Sequence, residues 1–181
     1  MILVYGTTAS GKSNIAEEIA QREALIEKSP LVYLATMENT SDAAKERINW
    51  HKRERDGKGF YLVEEMYNPE NIGDRLPFKL SESVVLLECV SNLVANVMFS
   101  EGRETEELCK LAKEISQGVY ELNKKCKKLI VVTNNVFTSG KYEDYLCDLY
   151  MQLLGLVNRH LAACADVFLE VVAGNPYEIK K

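Results

Sequence analysis

Short apolar runs alternate along the chain with longer segments in which apolar residues recur at helical spacing. The runs are four to seven residues long, which is typical of strands buried on both faces. They predict strands at residues 2–5, 31–36, 60–64, 83–89, 128–133 and 167–173, with a last short strand beginning at Ile179. The segments between them predict helices at residues 12–26, 42–54, 91–99, 104–124 and 142–166. This order predicts a three-layer α/β/α protein in which helices cover both faces of a mostly parallel sheet.

Length and composition favour a single globular domain. The chain has 181 residues, of which 46% are hydrophobic, and it contains no low-complexity tract or linker, so residues 1–181 are expected to share one core. The net charge of −5 argues against a nucleic-acid partner, because a phosphate backbone needs a clustered positive surface. No apolar run approaches the roughly 18 residues that span a bilayer. The chain also opens on a strand-like segment instead of a signal peptide, so we expect a cytoplasmic protein without a membrane span.

A glycine-bearing loop between the first strand and the first helix carries the clearest chemical signal. Residues 6–13 read G-T-T-A-S-G-K-S, which matches the phosphate-binding pattern G-x-x-x-x-G-K-[ST] in its required setting of strand, loop and helix. Gly6 and Gly11 are expected where a Cβ would hinder the backbone, so that loop N–H groups surround phosphate oxygens at the positive end of the helix. Lys12 is expected to reach the β- and γ-phosphates, and the Ser13 hydroxyl to bind Mg²⁺. The sequence therefore predicts a nucleoside triphosphate site in a P-loop NTPase type of fold.

Polar residues stand at the ends of other predicted strands. Thr36, Glu88 and Asn134 each follow an apolar run. The carboxyl ends of parallel strands meet at the edge of the sheet where ligands bind, so these residues are expected on the same rim as the P-loop. Glu88 stands where P-loop proteins hold the magnesium shell, and a solvent-facing carboxylate is the alternative interpretation.

One of the two histidines lies among cations. His51 is in a predicted helix and is followed by Lys52, Arg53 and Arg55. Positive charge nearby favours the neutral, nucleophilic imidazole and attracts phosphate, and histidine can form a covalent intermediate. From chemistry alone, a surface histidine is the alternative for His51. His160 lacks such a setting and is expected to be structural.

The candidate residues belong to an ordered set of motifs that covers nearly the whole chain. Beyond the P-loop, the set comprises Tyr-Leu-Ala-Thr at 33–36, Arg-Ile-x-x-His at 47–51, Val-Glu-Glu at 63–65, Leu-Leu-Glu-Cys at 86–89 with Asn92, Leu93 and Asn96, Val-Thr-Asn at 132–134, and Gly-x-x-Asn at 155–158 with Ala162, Ala165 and Asp166. In this order the motifs resemble the bifunctional adenosylcobinamide kinase / adenosylcobinamide-phosphate guanylyltransferase family of cobalamin biosynthesis. A histidine after Arg-Ile-x-x is far more specific than the P-loop alone.

The resemblance implies two transfer reactions. The first moves the γ-phosphate of ATP or GTP to the aminopropanol hydroxyl of adenosylcobinamide, and the second moves GMP from GTP to that phosphate and releases pyrophosphate. The family's guanylylated histidine falls on His51, which with Lys12 forms the implied catalytic pair. Mg²⁺ bound by Ser13 and Glu88 is the expected cofactor, and the family is homotrimeric. The implied nucleotide contacts fall on Gly6, Thr7, Thr8, Ala9, Ser10, Gly11, Lys12, Ser13, Ala35, Thr36, Met37, Lys52, Arg53, Glu54, Arg55, Glu64 and Glu88.

The chain departs from the family pattern in two places. Ala9 stands where the family usually has Arg, and residues 135–142 replace a segment in which the family expects Glu, Val and Gly followed by a loop with Gly and Pro. Two other functions stay open. One is a different P-loop kinase of a small hydroxylated metabolite, in which His51 is not catalytic. The other is a nucleotide-binding regulatory protein without catalysis.

Overall fold

A seven-stranded sheet forms the centre of the molecule. The structure is a computed structural model that describes residues 1–38, 57–100, 103, 106–136 and 144–181. The strands are β1 (Ile2–Gly6), β2 (Leu31–Ala35), β3 (Phe60–Glu64), β4 (Val84–Glu88), β5 (Lys128–Asn134), β6 (Val167–Val172) and β7 (Asn175–Lys180). Their order in the sheet is β3-β2-β4-β5-β1-β6-β7, and every neighbouring pair is parallel except β6 and β7. The mostly parallel sheet expected from the sequence is confirmed.

Within the described residues, α-helices follow the strands β1, β4 and β5. They are α1 (Lys12–Glu27), α2 (Val90–Phe99), α3 (Leu108–Lys125) and α4 (Tyr145–Cys164). The polar segment at residues 68–77 contains two short 3-10 helices, Pro69–Asn71 and Gly73–Arg75. The helix predicted at residues 42–54 lies outside the part of the chain that the structure describes. None of the described helices has the length and apolar character needed to cross a bilayer.

Both faces of the sheet are covered. Leu3 of β1 packs into a cluster that includes residues of α2, α3 and α4, whereas Ile2 and Val4 pack with residues of α1 on the opposite face. This alternation follows from the two-residue period of a strand. Residues 84–87 of β4 are all fully buried, as expected for a central strand between two helical layers. The three-layer α/β/α arrangement is therefore confirmed.

The edge of the sheet beyond β6 differs from the prediction. The last strand begins at Asn175 instead of Ile179, and it returns antiparallel to β6. Between the two strands, Ala173 and Gly174 have φ angles of 49° and 80°. Two successive residues with positive φ make the tight hairpin turn whose twist matches that of the strands. The apolar pattern missed this turn because alanine seldom adopts the left-handed conformation.

Candidate functional site

The P-loop joins β1 to α1 through a turn that depends on two glycines. A Cβ on Gly6 would lie 2.6 Å from Ser10 Oγ and 2.7 Å from the carbonyl oxygen of Val171. Gly11 has a φ of 88° and precedes α1 as its N-cap residue, without a side-chain cap. The amino end of α1, with its partial positive charge and no side-chain cap, is thus suited to an anion.

Backbone hydrogen bonds hold the loop in shape. The Ser10 N–H donates to the Thr7 carbonyl oxygen at 3.2 Å, and the Ser10 carbonyl accepts from the Gly174 N–H at 2.8 Å. Ala9, at the exposed outer side of the loop, adopts a left-handed φ of 61°. Gly174 belongs to the turn between β6 and β7, so this hairpin supports the loop from one side. In the sequence, the hydrogen bond between Gly174 and Ser10 is indicated only by the glycine at position 174.

Lys12 is buried, although it is the charged residue of the loop. Its side chain is part of the first turn of α1, only 8% of the residue is exposed, and Nζ donates to the Thr7 carbonyl oxygen at 3.2 Å. Within the described residues no carboxylate forms an ion pair with it. A buried ammonium is costly unless an anion compensates it. The ammonium therefore lies across the loop where a phosphate would neutralise it.

A side-chain hydrogen bond joins the first turn of α1, just after the loop, to the end of β4. Ser13 Oγ donates to Glu88 Oε1 at 2.8 Å, across 75 positions of sequence. A hydroxyl and a carboxylate are hard oxygen ligands, which suit Mg²⁺ bound together with substrate phosphates. Among the described residues there is no group of three His, Cys, Asp or Glu side chains that could hold a metal ion alone. The pair of Ser13 and Glu88 thus fits a metal carried in with a nucleotide.

Thr36, which follows β2, forms hydrogen bonds with Cys89, which follows Glu88 at the end of β4. Thr36 is fully buried, and its hydroxyl donates to the Cys89 carbonyl oxygen at 2.7 Å and accepts from the Cys89 N–H at 2.9 Å. Asn96 of α2 donates to the carbonyl oxygens of Thr36 at 2.7 Å and Met66 at 3.0 Å. The ends of β2, β3 and β4 are therefore tied together beside the P-loop.

A second polar cluster lies at the end of β5. Asn134 Nδ2 donates to Ser91 Oγ at 2.6 Å, and the Tyr150 hydroxyl donates to the Ser91 carbonyl oxygen at 3.2 Å. Burial raises the pKa of Tyr150 to about 12 and also raises the pKa of the Cys89 thiol. Both groups are neutral at physiological pH, so this cluster holds the start of α2 and the end of β5 without adding charge to the site.

The remaining predicted contacts are divided between described and undescribed residues. Ala35 pairs in register with Glu64 of β3 on one side and Glu88 of β4 on the other, so these three residues share one edge of the sheet. Thr7 and Thr8 are exposed beside Ala9 in the loop, and Met37 is partly buried beyond Thr36. His51, Lys52, Arg53, Glu54 and Arg55 lie outside the described residues.

The fold and the loop define a protein of the P-loop NTPase fold, with the phosphate-binding motif at the carboxyl edge of its sheet. A family model described as cobinamide kinase / cobinamide phosphate guanyltransferase matches residues 2–179, and the chain belongs to this family. It is 31% identical over 191 residues to the bifunctional adenosylcobalamin biosynthesis protein CobU of Salmonella typhimurium, with 99% of each chain covered. It is also 31% identical over 190 residues to the Escherichia coli protein of the same name, again with 99% of each chain covered. The resemblance recognised in the motifs is confirmed.

Two solved structures are similar to this chain at low sequence identity. The flagellar accessory protein FlaH from Methanocaldococcus jannaschii has a TM-score of 0.50 and 13% identity, and the match covers 99% of this chain and 77% of that one. The KaiC-like protein PH0186 from Pyrococcus horikoshii OT3 has a TM-score of 0.47 and 16% identity, covering 93% of this chain and 69% of that one. At such identity the likeness to FlaH concerns the fold alone.

Proposed function

We propose that this protein is a bifunctional enzyme of adenosylcobalamin biosynthesis. It phosphorylates adenosylcobinamide with ATP or GTP, and it then transfers GMP from GTP to the product to give adenosylcobinamide-GDP. The observation that carries the proposal is the buried Lys12 beside an uncapped helix end, in a chain whose family is named for both reactions. The full-length match to two bifunctional relatives supports both activities in this chain.

The kinase step places positive groups around a transferring phosphoryl group. The acceptor hydroxyl oxygen forms a bond to the γ-phosphorus, the bond from that phosphorus to the β–γ bridging oxygen breaks, and the hydroxyl proton is released. Lys12 and the loop N–H groups stabilise the charge on the phosphate oxygens, and their fixed positions avoid reorganisation during the reaction. Mg²⁺ supplies further charge neutralisation when bound, and Ser13 and Glu88 are the residues that would hold it.

The guanylyl transfer uses a histidine as a temporary carrier. The neutral imidazole of His51 attacks the α-phosphorus of GTP, and pyrophosphate leaves. An oxygen of the cobinamide phosphate then attacks the same phosphorus, which breaks the phosphorus–nitrogen bond and frees His51. Splitting one displacement into two lets each proceed with a good leaving group. The cations at Lys52, Arg53 and Arg55 neutralise phosphates in this step, as the family resemblance implies.

The proposal extends to location and assembly. The motifs resemble those of a homotrimeric family, so the assembly that we propose is a homotrimer. The location that we propose is the cytoplasm, as expected from the sequence. Light scattering on the purified protein tests the assembly directly, since a trimer of a 20.5 kDa chain is well separated in mass from the monomer.

Radiolabelled GTP separates the proposed enzyme from its alternatives. With the label in the α-phosphate, we expect a protein-bound label that is acid-labile and base-stable, and that passes to phosphorylated cobinamide. His51→Ala should abolish this label while leaving phosphorylation of adenosylcobinamide intact. His160→Ala is the matched control, because it removes the other histidine of the sequence, whose Nδ1 forms a hydrogen bond with Ser116 Oγ at 3.3 Å. The His160→Ala protein should retain the label.

Other outcomes would identify another function. Nucleotide-dependent phosphorylation of a different acceptor, with no labelled His51, would indicate a different small-metabolite kinase. Nucleotide binding with neither transfer would indicate a regulatory protein. Either result would contradict the proposal.

A further inference from the structure

One threonine connects the end of β2 to the end of β4. Thr36 follows β2 directly and has an exposed fraction of 0%. Its hydroxyl contacts both backbone polar groups of Cys89, donating to the carbonyl oxygen at 2.7 Å and accepting from the N–H at 2.9 Å. Because Cys89 is itself buried, this hydroxyl is a partner for its N–H and shares its carbonyl oxygen with the Leu93 N–H at 3.2 Å. Both backbone groups of Cys89 belong to the residue that immediately follows Glu88.

The backbone of Thr36 is engaged as well. Its N–H donates to the Glu88 carbonyl oxygen at 3.1 Å, and its carbonyl accepts from Asn96 Nδ2 at 2.7 Å. Every polar group of Thr36 therefore has a partner inside the protein. Both donors of Thr36 are used, so a nucleotide phosphate oxygen, which only accepts hydrogen bonds, could bind Thr36 only by replacing one of these bonds.

We propose that Thr36 is a positioning residue for Glu88 and does not donate a hydrogen bond to the nucleotide. By holding the backbone on both sides of the Glu88–Cys89 junction, it sets the Glu88 carboxylate at 2.8 Å from Ser13 Oγ. Those two oxygens are the protein ligands that fit Mg²⁺. The inference rests on the nucleotide site of the proposed function and does not depend on the acceptor substrate.

The demands of the metal explain why such support is needed. Mg²⁺ requires nearly ideal octahedral geometry, with ligand distances near 2.0–2.1 Å. If its backbone moves by a fraction of an ångström, a carboxylate can no longer meet this geometry and binds the metal more weakly. Residues that orient metal ligands from behind commonly change metal affinity by about 10- to 100-fold when they are replaced. We therefore expect Thr36 to act on metal affinity much more than on nucleotide affinity.

Thr36→Val tests this, because valine keeps the shape of threonine and removes the hydroxyl. Mn²⁺ serves as the probe, and its binding to the protein–ATP complex is followed by electron paramagnetic resonance. ATP affinity is measured separately by calorimetry in EDTA. We expect the variant to lose about tenfold or more in Mn²⁺ affinity. Its ATP affinity without metal should remain within about twofold of wild type, because the substitution disturbs only the positions of the metal ligands. Thr36→Ser should restore Mn²⁺ binding.

Thr133→Val is the matched control. Thr133 is also fully buried at the carboxyl end of a central strand, but its hydroxyl donates to Asn158 Oδ1 at 2.6 Å on α4. The control removes a buried threonine hydroxyl at the same edge of the sheet without touching the backbone next to Glu88. Its Mn²⁺ affinity should stay at the wild-type level.

Two results would overturn the inference. Unchanged Mn²⁺ affinity in Thr36→Val would exclude a positioning role, and an equal loss of ATP affinity with and without metal would indicate a direct nucleotide contact. If Thr36→Val does not fold, Asn96→Leu removes the donor to the Thr36 carbonyl oxygen without adding a charge near the metal ligands. Reduced Mn²⁺ affinity in that variant supports the inference, and unchanged affinity refutes it. Failure of the wild type to phosphorylate adenosylcobinamide would refute the proposed function alone, since these assays contain no acceptor.

Discussion

The two glycines of the P-loop are required for different physical reasons. At Gly6 the obstacle is space, because a side chain would meet the Ser10 hydroxyl and the Val171 carbonyl oxygen. At Gly11 the obstacle is conformation, because φ is 88°, a region that residues with a Cβ rarely adopt. The chain thus packs closely on both sides of the loop, and neither glycine places a side chain near the amino end of α1, where an anion would bind.

Gly6→Ala is expected to damage both stability and nucleotide binding. The Val171 oxygen belongs to the backbone of β6 and cannot move without shifting that strand, so the clash should lower the free energy of unfolding by about 1–3 kcal/mol. Denaturant unfolding and a nucleotide titration measure the two effects. Gly73→Ala is the control, because its Cβ would approach nothing closer than Leu80 Cδ2 at 4.0 Å. Wild-type stability and affinity in Gly6→Ala would show that the loop tolerates a wider turn.

The hairpin of β6 and β7 is an element that supports the site from outside the sequence motif. Its turn donates the Gly174 N–H to the Ser10 carbonyl, and the Cα of Gly174 lies 3.2 Å from where a Cβ on Gly11 would stand. Ala173 destabilises this turn, because its left-handed backbone conformation costs roughly 1–2 kcal/mol for a residue with a Cβ. A residue that tolerates this conformation should therefore stabilise the hairpin.

Ala173→Asn is expected to raise the midpoint of urea unfolding. Asn-Gly is the favoured pair for a two-residue turn with positive φ at both positions, so a gain of about 0.5–1 kcal/mol is expected. The same substitution at Ala163, an exposed position in α4, should instead lower the midpoint slightly, because asparagine is a poorer helix former than alanine. A lower midpoint for Ala173→Asn would contradict the hairpin geometry described here.

The elements show which features a sequence pattern can reveal. The third strand was predicted at residues 60–64 and the first helix from Lys12, and the structure has both at those positions. Apolar runs and glycine-lysine motifs are local signals, so they locate elements well. The hydrogen bonds from Thr36 to Cys89 and from Asn96 to Thr36 join residues 53 and 60 positions apart, and no local pattern contains them. The sequence pointed to Thr36 as part of the site, whereas its partners come only from the fold.

Across the whole molecule, the sheet order explains why separate motifs form one site. β5 lies between β1, which carries the P-loop, and β4, which carries Glu88, and β2 follows on the far side of β4. All four strands are parallel and end at one edge, so the loop, the metal-binding oxygens and the Thr36 contacts are neighbours there. The helical layers bury the sheet faces and leave this edge for ligands, as is general for open α/β sheets.

A calorimetric titration of ATP and GTP into the wild type and Lys12→Ala tests the central claim most directly. Removal of the Lys12 ammonium should reduce affinity at least tenfold, which corresponds to about 1.4 kcal/mol of binding free energy. Lys79→Ala is the control, because the Lys79 side chain is 78% exposed and pairs with Glu82 away from the loop, and it should bind like the wild type. A Lys12→Ala protein that binds both nucleotides as tightly as the wild type would contradict the assignment of the P-loop as the nucleotide site.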